Sequence, residues 1–237
     1  MNRSILMLSA MCLLIVASCS KTKEKPEESK NEIIINGTVY PTTVIGNQTW
    51  TTVNYNGNGG VNYNDGANDP TVGKLYSFPE LKALINLPTG WRVPTEVDVK
   101  ALMSTVGTKL DGDDSYTDAI ASQKLMSKIG WSNALLTGNN STGLNLVPTG
   151  DCFVSSVTIK NYSDKGVKAS FWTSTTIKYT PIETNSYPLL FEVSTDSYDN
   201  HDEPAGLRGA IYSTTASNDG ITTFPAEKRS IRFVKDN

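Results

Sequence analysis

The sequence predicts an α+β fold with an antiparallel sheet, two to three helices and long loops. Short segments rich in Val, Ile, Thr and aromatic residues occur towards both ends of the chain, and this composition is typical of strands. Stretches with helix start and stop signals lie between them. Strands, then a few helices, then strands again indicate an α+β domain with an antiparallel sheet.

The first predicted elements are strands joined by tight turns. Asn36-Gly37 separates two apolar stretches and predicts a hairpin turn. Gly46-Asn47 marks a second turn, and a strand over Gln48–Asn54 follows it with Trp50 facing inward. Asn56–Pro70 is rich in Gly, Asn and Asp and is predicted to be a loop.

The central stretch of the chain is Leu87–Met103, where a proline meets a helix start. Pro94 holds the preceding residue extended, and Thr95 is the expected N-cap, with Asp98 completing a capping box. The helix is expected to end at Gly107. Its apolar positions, which we expect on one face, are Val97, Ala101, Leu102 and Val106.

Two further helices are predicted on either side of the central one. Ser77 and Glu80 form a capping box that opens a helix running through Asn86. After the acidic loop Asp111–Asp118, a third helix covers Ala119–Ile129. Its apolar positions, predicted to face the core, are Ile120, Leu125, Met126 and Ile129.

The remaining elements are predicted strands. They cover Lys74–Tyr76, Leu144–Pro148, Cys152–Lys160, Ala169–Thr176, Leu189–Ser194, Leu207–Ser213 and Arg229–Val234. In the last, Ile231 and Phe233 alternate with Ser230 and Arg232, which predicts a half-buried strand and a structural role for Arg232. The four tryptophans are assigned to the core: Trp50, Trp91, Trp131 and Trp172.

The N-terminus carries the pattern of an export signal. Ile5–Ala17 is an almost unbroken apolar run, too short for a comfortable membrane span. Val16-Ala17-Ser18 before Cys19 resembles the bacterial lipobox, which predicts a signal peptide over residues 1–18 and a lipid on Cys19. The expected location is the outer membrane, on its periplasmic or cell-surface face. An ordinary signal peptide cleaved at the same point is the alternative.

Composition divides the rest of the chain into a tether and one domain. Ser20–Glu32 has charges of both signs and no aromatic residue, so residues 19–32 are expected to form a tether and 33–237 a single domain. The net charge of −3 and the lack of a dense basic cluster argue against nucleic-acid binding. Cys152 is the only cysteine left in the domain, which excludes an intrachain disulfide and a cysteine metal cluster.

Six motifs occur in order along the chain: IGNQTWTTVNYN, GKLYSF, LPTGWRVPTEVDVKAL, STGLNLVPTG, FWTSTT and RSIRFVKD. In this order they resemble the Fibrobacter succinogenes major paralogous domain family, over roughly residues 44–235. The resemblance implies an exported protein or lipoprotein of Bacteroidetes or Fibrobacteres. It also implies a C-type-lectin-like fold, akin to that of formylglycine-generating enzymes.

Two departures from the family pattern bear on chemistry. Asp98-Val99 stands where the family often has Glu-Trp, so an acid for the helix cap is kept. Leu87-Pro88 stands where the family often has Cys-Pro, which leaves Cys152 unpaired. Formylglycine-generating enzymes use cysteines near the end of the domain, and a chain with a single cysteine in its folded part lacks that chemistry.

We expect no enzymatic activity. His201 is the only histidine, no serine motif accompanies it, and it is interpreted as a solvated loop residue. A glycoside hydrolase would need two carboxylates at a defined distance, and the sequence does not give the distance between any two acidic side chains. A hydrolase or oxidase would need polar side chains converging in one pocket.

Calcium is the one cofactor that the loops could hold. Asn62–Asp69, Asp111–Asp118 and Asp196–Glu203 have oxygen-rich side chains, but none follows the EF-hand spacing. Turn formation and solubility are the alternative explanation. The metal candidates are Asp111, Asp113, Asp114 and Asp118.

Tyrosines in the later loops are the candidate ligand contacts. The loops are Asn161–Lys168, Lys178–Pro188 and Thr195–Gly206, and the tyrosines are Tyr162, Tyr179, Tyr187 and Tyr198. Exposed tyrosines stack on sugar rings or contact proteins, although they also pin loops to a domain. The sequence therefore favours a binding lipoprotein for a glycan or a protein. The runner-up is an accessory subunit of a surface appendage or envelope assembly.

Overall fold

The computed structural model describes residues 31–84, 86–108, 119–154, 160–178, 182, 186–195, 208–213 and 227–237, without the side chains of 119 and 208–213. In these ranges the strands form three sheets in which every pair of named strands is antiparallel. Three short α-helices accompany them. The predicted α+β class is confirmed, with more sheet than helix.

The first sheet joins the start of the described chain to its end. In spatial order its strands are β1 (Glu32–Ile35), β2 (Thr38–Ile45), β3 (Gln48–Thr51) and β11 (Val234–Asp236). Asn36 and Gly37 have φ values of 50° and 82°, as the predicted hairpin turn requires. The third strand ends before the predicted Asn54, because the chain there runs beside the C-terminal segment, with the Tyr55 N–H donating to the Ile231 carbonyl.

The other two sheets hold the later strands. The second contains β4 (Tyr76–Ser77), β10 (Glu227–Arg229), β5 (Asp151–Val154) and β6 (Lys160–Ser163), in that spatial order. The third contains β7 (Lys168–Ile177), β8 (Tyr187–Ser194) and β9 (Arg208–Ser213). The three predicted strands that correspond to β7, β8 and β9 are confirmed.

Three other predicted strands were wrong in extent. The predicted Cys152–Lys160 is two strands, β5 and β6, with residues 155–159 outside the described ranges. The predicted Leu144–Pro148 contributes only one bridge, from Leu146 to Met126. The predicted Lys74–Tyr76 is displaced to β4.

The helices are α1 (Phe78–Lys82), α2 (Glu96–Val106) and α3 (Ala119–Leu125). Helix α1 starts at the predicted capping box but stops before Asn86, which adopts a left-handed φ of 71°. Helix α3 stops before Ile129, because Met126 leaves it to pair with Leu146. Ile120 and Ile129 are 68% and 80% exposed, and their assignment to the core was wrong.

The buried face of α2 also differs from the predicted one. Val97 is 74% exposed and Ala101 is exposed, whereas the helix buries Asp98, Val99, Leu102, Met103 and Val106. The capping carboxylate of Asp98 turns inward to meet Arg92 and Gln48, and this rotates the helix away from the predicted orientation. Gly107 ends the helix with a left-handed φ of 101°, as expected.

The C-terminal segment connects all three sheets. It contains β10 in the second sheet, a bridge from Ser230 to Phe171 of the third sheet, and β11 in the first. The prediction of one half-buried strand over Arg229–Val234 was wrong, because the segment passes between layers and both of its faces are buried. Ile231, Phe233 and Val234 all have no exposed surface. The four tryptophans are buried as predicted, with 1–7% exposure: Trp50, Trp91, Trp131 and Trp172.

Candidate functional site

The motif residues around α2 form one buried polar network. Asp98 accepts hydrogen bonds from Arg92 Nε at 3.0 Å and from Gln48 Nε2 at 3.0 Å. The backbone N–H and the hydroxyl of Thr95 both donate to the same carboxylate at 2.8 Å. Gln48 in turn accepts from the indole N–H of Trp50 at 3.1 Å. Burial raises the pKa of Asp98, but these donors outweigh it and hold that pKa below its ordinary value.

Pro94 fixes this network to the third sheet. Its carbonyl accepts from the backbone N–H of Ser174 in β7 at 2.8 Å. The backbone N–H of Glu96 lies in the first turn of α2, where it has no partner within the helix. It donates to the hydroxyl of Thr175 at 2.9 Å. These contacts hold the start of α2 against β7.

Arg232 forms a second buried centre, on the C-terminal segment. Its guanidinium donates to the carbonyl oxygens of Thr51 at 2.7 Å, Leu144 at 3.0 Å and Asn145 at 3.0 Å. Its Nε donates to the side-chain oxygen of Asn54 at 2.5 Å. Burial lowers the pKa of Arg232 to about 9, so the side chain still carries its charge at neutral pH. In this centre, as around Asp98, the polar side chains are hydrogen-bonded to other groups of the protein.

Of the four candidate tyrosines, the structure describes Tyr162 and Tyr187. Tyr162 lies within β6 and Tyr187 begins β8, so neither belongs to the loop predicted for it. They are on different sheets and do not form one site. Tyr179 and Tyr198 lie outside the described residues.

Tyr162 belongs to a surface group that we call the tyrosine cluster, made of Tyr63, Asp65, Lys160, Tyr162 and Lys165. The two tyrosine rings pack with centroids 5.2 Å apart and planes tilted by 56°. The hydroxyl of Tyr162 donates to Asp65 at 2.8 Å, and the Lys160 ammonium pairs with the same carboxylate at 2.5 Å. The Lys165 ammonium lies 5.1 Å from the centre of the Tyr63 ring. Two partly exposed rings are thus bordered by one acid and two bases.

The loop that supplies Tyr63 and Asp65 has an unusual backbone. Asn64 and Asp65 are consecutive non-glycine residues with left-handed φ values of 54° and 50°. Such residues cost conformational energy, which the surrounding contacts must offset. Asn62 Nδ2 donates to the Gly66 carbonyl at 2.8 Å across the bend, and Asp65 is fixed by β6. The loop is therefore built to present these side chains against the sheet.

The electrostatics of the tyrosine cluster follow from these contacts. The hydrogen bonds from Lys160 and Tyr162 lower the pKa of Asp65. Burial, followed by the hydrogen bond to Asp65, raises the pKa of Tyr162. Burial likewise raises the pKa of Tyr63. These shifts favour an ionised Asp65 beside two neutral phenols at neutral pH.

A different ion group occupies the other face of the same sheet. Arg229 Nη1 lies 3.2 Å from Asp151, and Arg229 Nη2 lies 3.4 Å from Glu227. Burial raises the pKa of Glu227, and the charge of Arg229 opposes that shift. Ser163 donates to Asp151 at 2.6 Å, so this carboxylate is already held by a hydroxyl and an arginine.

The calcium candidates Asp111, Asp113, Asp114 and Asp118 lie outside the described residues, as does His201. In the Asn62–Asp69 loop, Asp65 is taken by the tyrosine cluster, and the backbone N–H and hydroxyl of Thr71 donate to Asp69. Within the ranges that the structure describes, no group of three or more His, Cys, Asp or Glu residues could hold a metal ion. Cys152 is buried and free, and burial raises the pKa of its thiol.

Sequence reasoning found Tyr162 but missed its neighbours. Tyr63 and Asp65 lie about a hundred residues earlier in the chain, in a stretch that was predicted only as a loop and as a possible calcium site. The signal was the NYND sequence, since Asn and Asp tolerate left-handed backbone and can end a loop in a fixed shape. Their approach to Tyr162 depends on the register of the second sheet, which no local pattern encodes.

Comparison with known proteins identifies a family but gives no information on activity. The family model of the Fibrobacter succinogenes major domain matches residues 43–187. No curated protein and no solved structure matches the chain. The match takes in α1 to α3 and the tyrosine cluster, and it starts after most of the β1–β2 hairpin. No helix among the described residues has the length and apolar character needed to cross a membrane.

Proposed function

The chain belongs to the Fibrobacter succinogenes major domain family, and from this premise we propose that it is an outer-membrane lipoprotein that binds a ligand without catalysis. Residues 1–18 are its signal peptide, Cys19 carries the lipid, and the charged tether reaches to residue 32. The domain is C-type-lectin-like in this proposal. Antiparallel sheets with few helices support that assignment at the level of fold class.

The tyrosine cluster is the proposed ligand site, and a glycan is the first ligand class. Two tyrosine rings at 5.2 Å form a partly exposed apolar surface onto which a sugar ring can stack. Asp65 and the two lysines lie at its border, where they can exchange hydrogen bonds with sugar hydroxyls. This aromatic pair with a polar rim is the observation that carries the proposal.

A glycan array probed with the Cys19→Ser chain tests it, with and without a calcium chelator. We expect specific binding that Tyr162→Ala weakens about 10- to 100-fold, because truncation removes the stacking surface. Tyr162→Phe keeps the ring and should retain most of the affinity. Phe153→Ala is the matched control, since this 38% exposed aromatic lies on the opposite face of the same sheet.

Three outcomes separate the possibilities. Binding that survives both Tyr63→Ala and Tyr162→Ala contradicts the proposed site. Binding that is lost on chelation supports a calcium-dependent lectin in which an acidic loop holds the ion. The absence of glycan binding in both conditions contradicts the glycan ligand and favours a protein partner.

A protein ligand or an assembly role is the second candidate. Tyrosines beside charged side chains are also the composition of protein interfaces. An accessory subunit of a surface appendage or envelope assembly should co-purify with stable partners, and a lectin should not. Loss of such partners in Tyr162→Ala, but not in Phe153→Ala, would place the interface at the tyrosine cluster.

A further inference from the structure

The β1–β2 hairpin has two apolar faces. Its inner face places Ile33, Ile35 and Tyr40 in the core, each at 2% exposure or less. On the outer face, Ile34 and Val39 stand directly opposite each other in the antiparallel register. They are 55% and 51% exposed, and exposed Pro41 and Glu32 form the next pair along that face.

The outer face contradicts the usual pattern of such a sheet. An antiparallel hairpin with one face in the core normally turns polar residues to water. Here the opposed pair is isoleucine and valine, with a proline beside it. β1 is also the edge of its sheet among the described strands. An exposed apolar patch of this kind indicates a contact surface rather than a solvated one.

The position of the hairpin in the chain indicates what it contacts. It precedes almost all of the family match, which begins at residue 43. Twelve residues, Ser20–Asn31, separate Cys19 from β1. Fully extended, a segment of that length spans at most about 40 Å. A lipid on Cys19 would therefore keep the hairpin within a few nanometres of the membrane surface.

We propose that the outer face of the β1–β2 hairpin rests on the lipid surface and sets the orientation of the anchored domain. This inference rests on the lipid anchor of the proposed function. Ile34, Val39 and Pro41 lie at the boundary between headgroups and acyl chains, and Glu32 stays at the headgroup level.

The tether makes such a small patch sufficient. Two or three apolar side chains bind a membrane only weakly from solution, but an anchored domain meets the surface at a high effective concentration. Ser20–Glu32 contains four lysines and four glutamates. Because these charges balance, the segment has no net repulsion from an anionic surface.

The test uses the protein expressed with its own N-terminus in a bacterial host that lipidates lipoproteins, purified and mixed with vesicles of phosphatidylethanolamine and phosphatidylglycerol. An environment-sensitive dye is attached to Val39→Cys, or to Leu135→Cys as the control, since Leu135 is an apolar residue 90% exposed in another part of the fold. Cys152 is buried and should not be labelled. We expect a lipid-borne spin quencher to reduce emission at position 39 about twofold and to leave position 135 unchanged. Ile34→Ser in the Val39→Cys background should remove most of that quenching.

Vesicle flotation, measured in the same samples, distinguishes a failure of the proposed lipid anchor from a failure of the proposed contact between the hairpin and the lipid surface. Protein that does not float with vesicles contradicts the lipid anchor, and the inference falls with it. Protein that floats but shows equal quenching at positions 39 and 135 overturns the inference and leaves the anchor in place. Shielding of position 39 from aqueous iodide only at high protein density, without lipid quenching, identifies a second copy as the occupant and also overturns it.

Discussion

At the scale of single residues, Arg232 illustrates how this chain uses charge inside its core. The side chain has no carboxylate partner among the described residues, yet it donates to three backbone carbonyls and to Asn54. The backbone acceptors belong to Thr51 at the end of β3 and to Leu144 and Asn145, so one side chain fixes two distant parts of the backbone. A guanidinium suits this task because its planar fork has five donors.

Arg232→Met should destabilise the protein by about 3–5 kcal/mol, because it leaves several buried carbonyl oxygens without a donor. Arg232→Lys should recover only part of the loss, since an ammonium cannot span the same acceptors. Urea denaturation followed by tryptophan fluorescence measures both. Lys100→Met is the control, because its pair with Glu96 is at the surface and should be worth less than about 1 kcal/mol. A cost for Arg232→Met as small as the control would contradict the role.

Glu80 predicts a specific acid sensitivity. Burial raises its pKa, but hydrogen bonds from Lys228, Ser77 and the Gly60 N–H outweigh this and lower it to about 2. The folded-state pKa lies below the ordinary value of 4.5, so the stabilisation is complete above pH 4.5 and is lost as pH falls towards 2. The stability difference between wild type and Glu80→Gln should therefore shrink over that interval. A difference independent of pH between 5 and 2 would contradict this assignment.

At the scale of elements, local signals located the helix starts, and tertiary contacts decided which faces are buried. The capping boxes at Ser77 and Thr95 need only residues three positions apart, so the sequence reveals both. The orientation of α2 depends on Arg92 and Gln48 drawing the Asp98 carboxylate inward, and Gln48 is fifty residues away. The face of α2 predicted from apolar spacing alone therefore differs from the buried face by a rotation of about one residue around the helix axis.

Asp98→Ala should lower the free energy of unfolding by more than the loss of a helix cap alone does. Thr95→Ala removes a hydroxyl that accepts from the Asp98 N–H and donates to the Asp98 carboxylate, and should cost about 1–2 kcal/mol. Asp98→Ala also removes the acceptor of buried Gln48 Nε2 and one of the two carboxylate partners of Arg92, and should cost about 3–4 kcal/mol. Glu96→Ala, in the same helical turn but with a partly exposed carboxylate paired to Lys100, should cost less than about 1 kcal/mol. Thermal unfolding followed by circular dichroism ranks the three, and equal costs for Asp98→Ala and Glu96→Ala would contradict the network.

At the scale of the whole molecule, the sequence predicts which strands exist better than how the sheets are connected. Turn residues and alternation located β1, β2, β7, β8 and β9 because those signals are local. The path of the C-terminal segment through three sheets depends on contacts between residues distant in sequence. From the alternating pattern alone, Arg232 was expected on the polar face of a half-buried strand. The candidate site shows the same limit. Tyr162 could be chosen by composition, but its pairing with Tyr63 and Asp65 requires the assembled second sheet.

The C-terminal segment should therefore be required for cooperative folding. Removal of residues 230–237 deletes β11, the Arg232 centre and the fully buried side chains of Ile231, Phe233 and Val234. Each such side chain is worth about 2–5 kcal/mol, so with the Arg232 bonds the loss is at least comparable to the roughly 5–15 kcal/mol that stabilises an ordinary domain. The truncated chain should show no cooperative thermal transition. Removal of Asp236-Asn237 alone, where Asp236 is an exposed partner of Arg92, should lower the melting temperature by only a few degrees. A truncated 1–229 chain that melts cooperatively near the full-length temperature would show that the three sheets hold together without the segment that joins them.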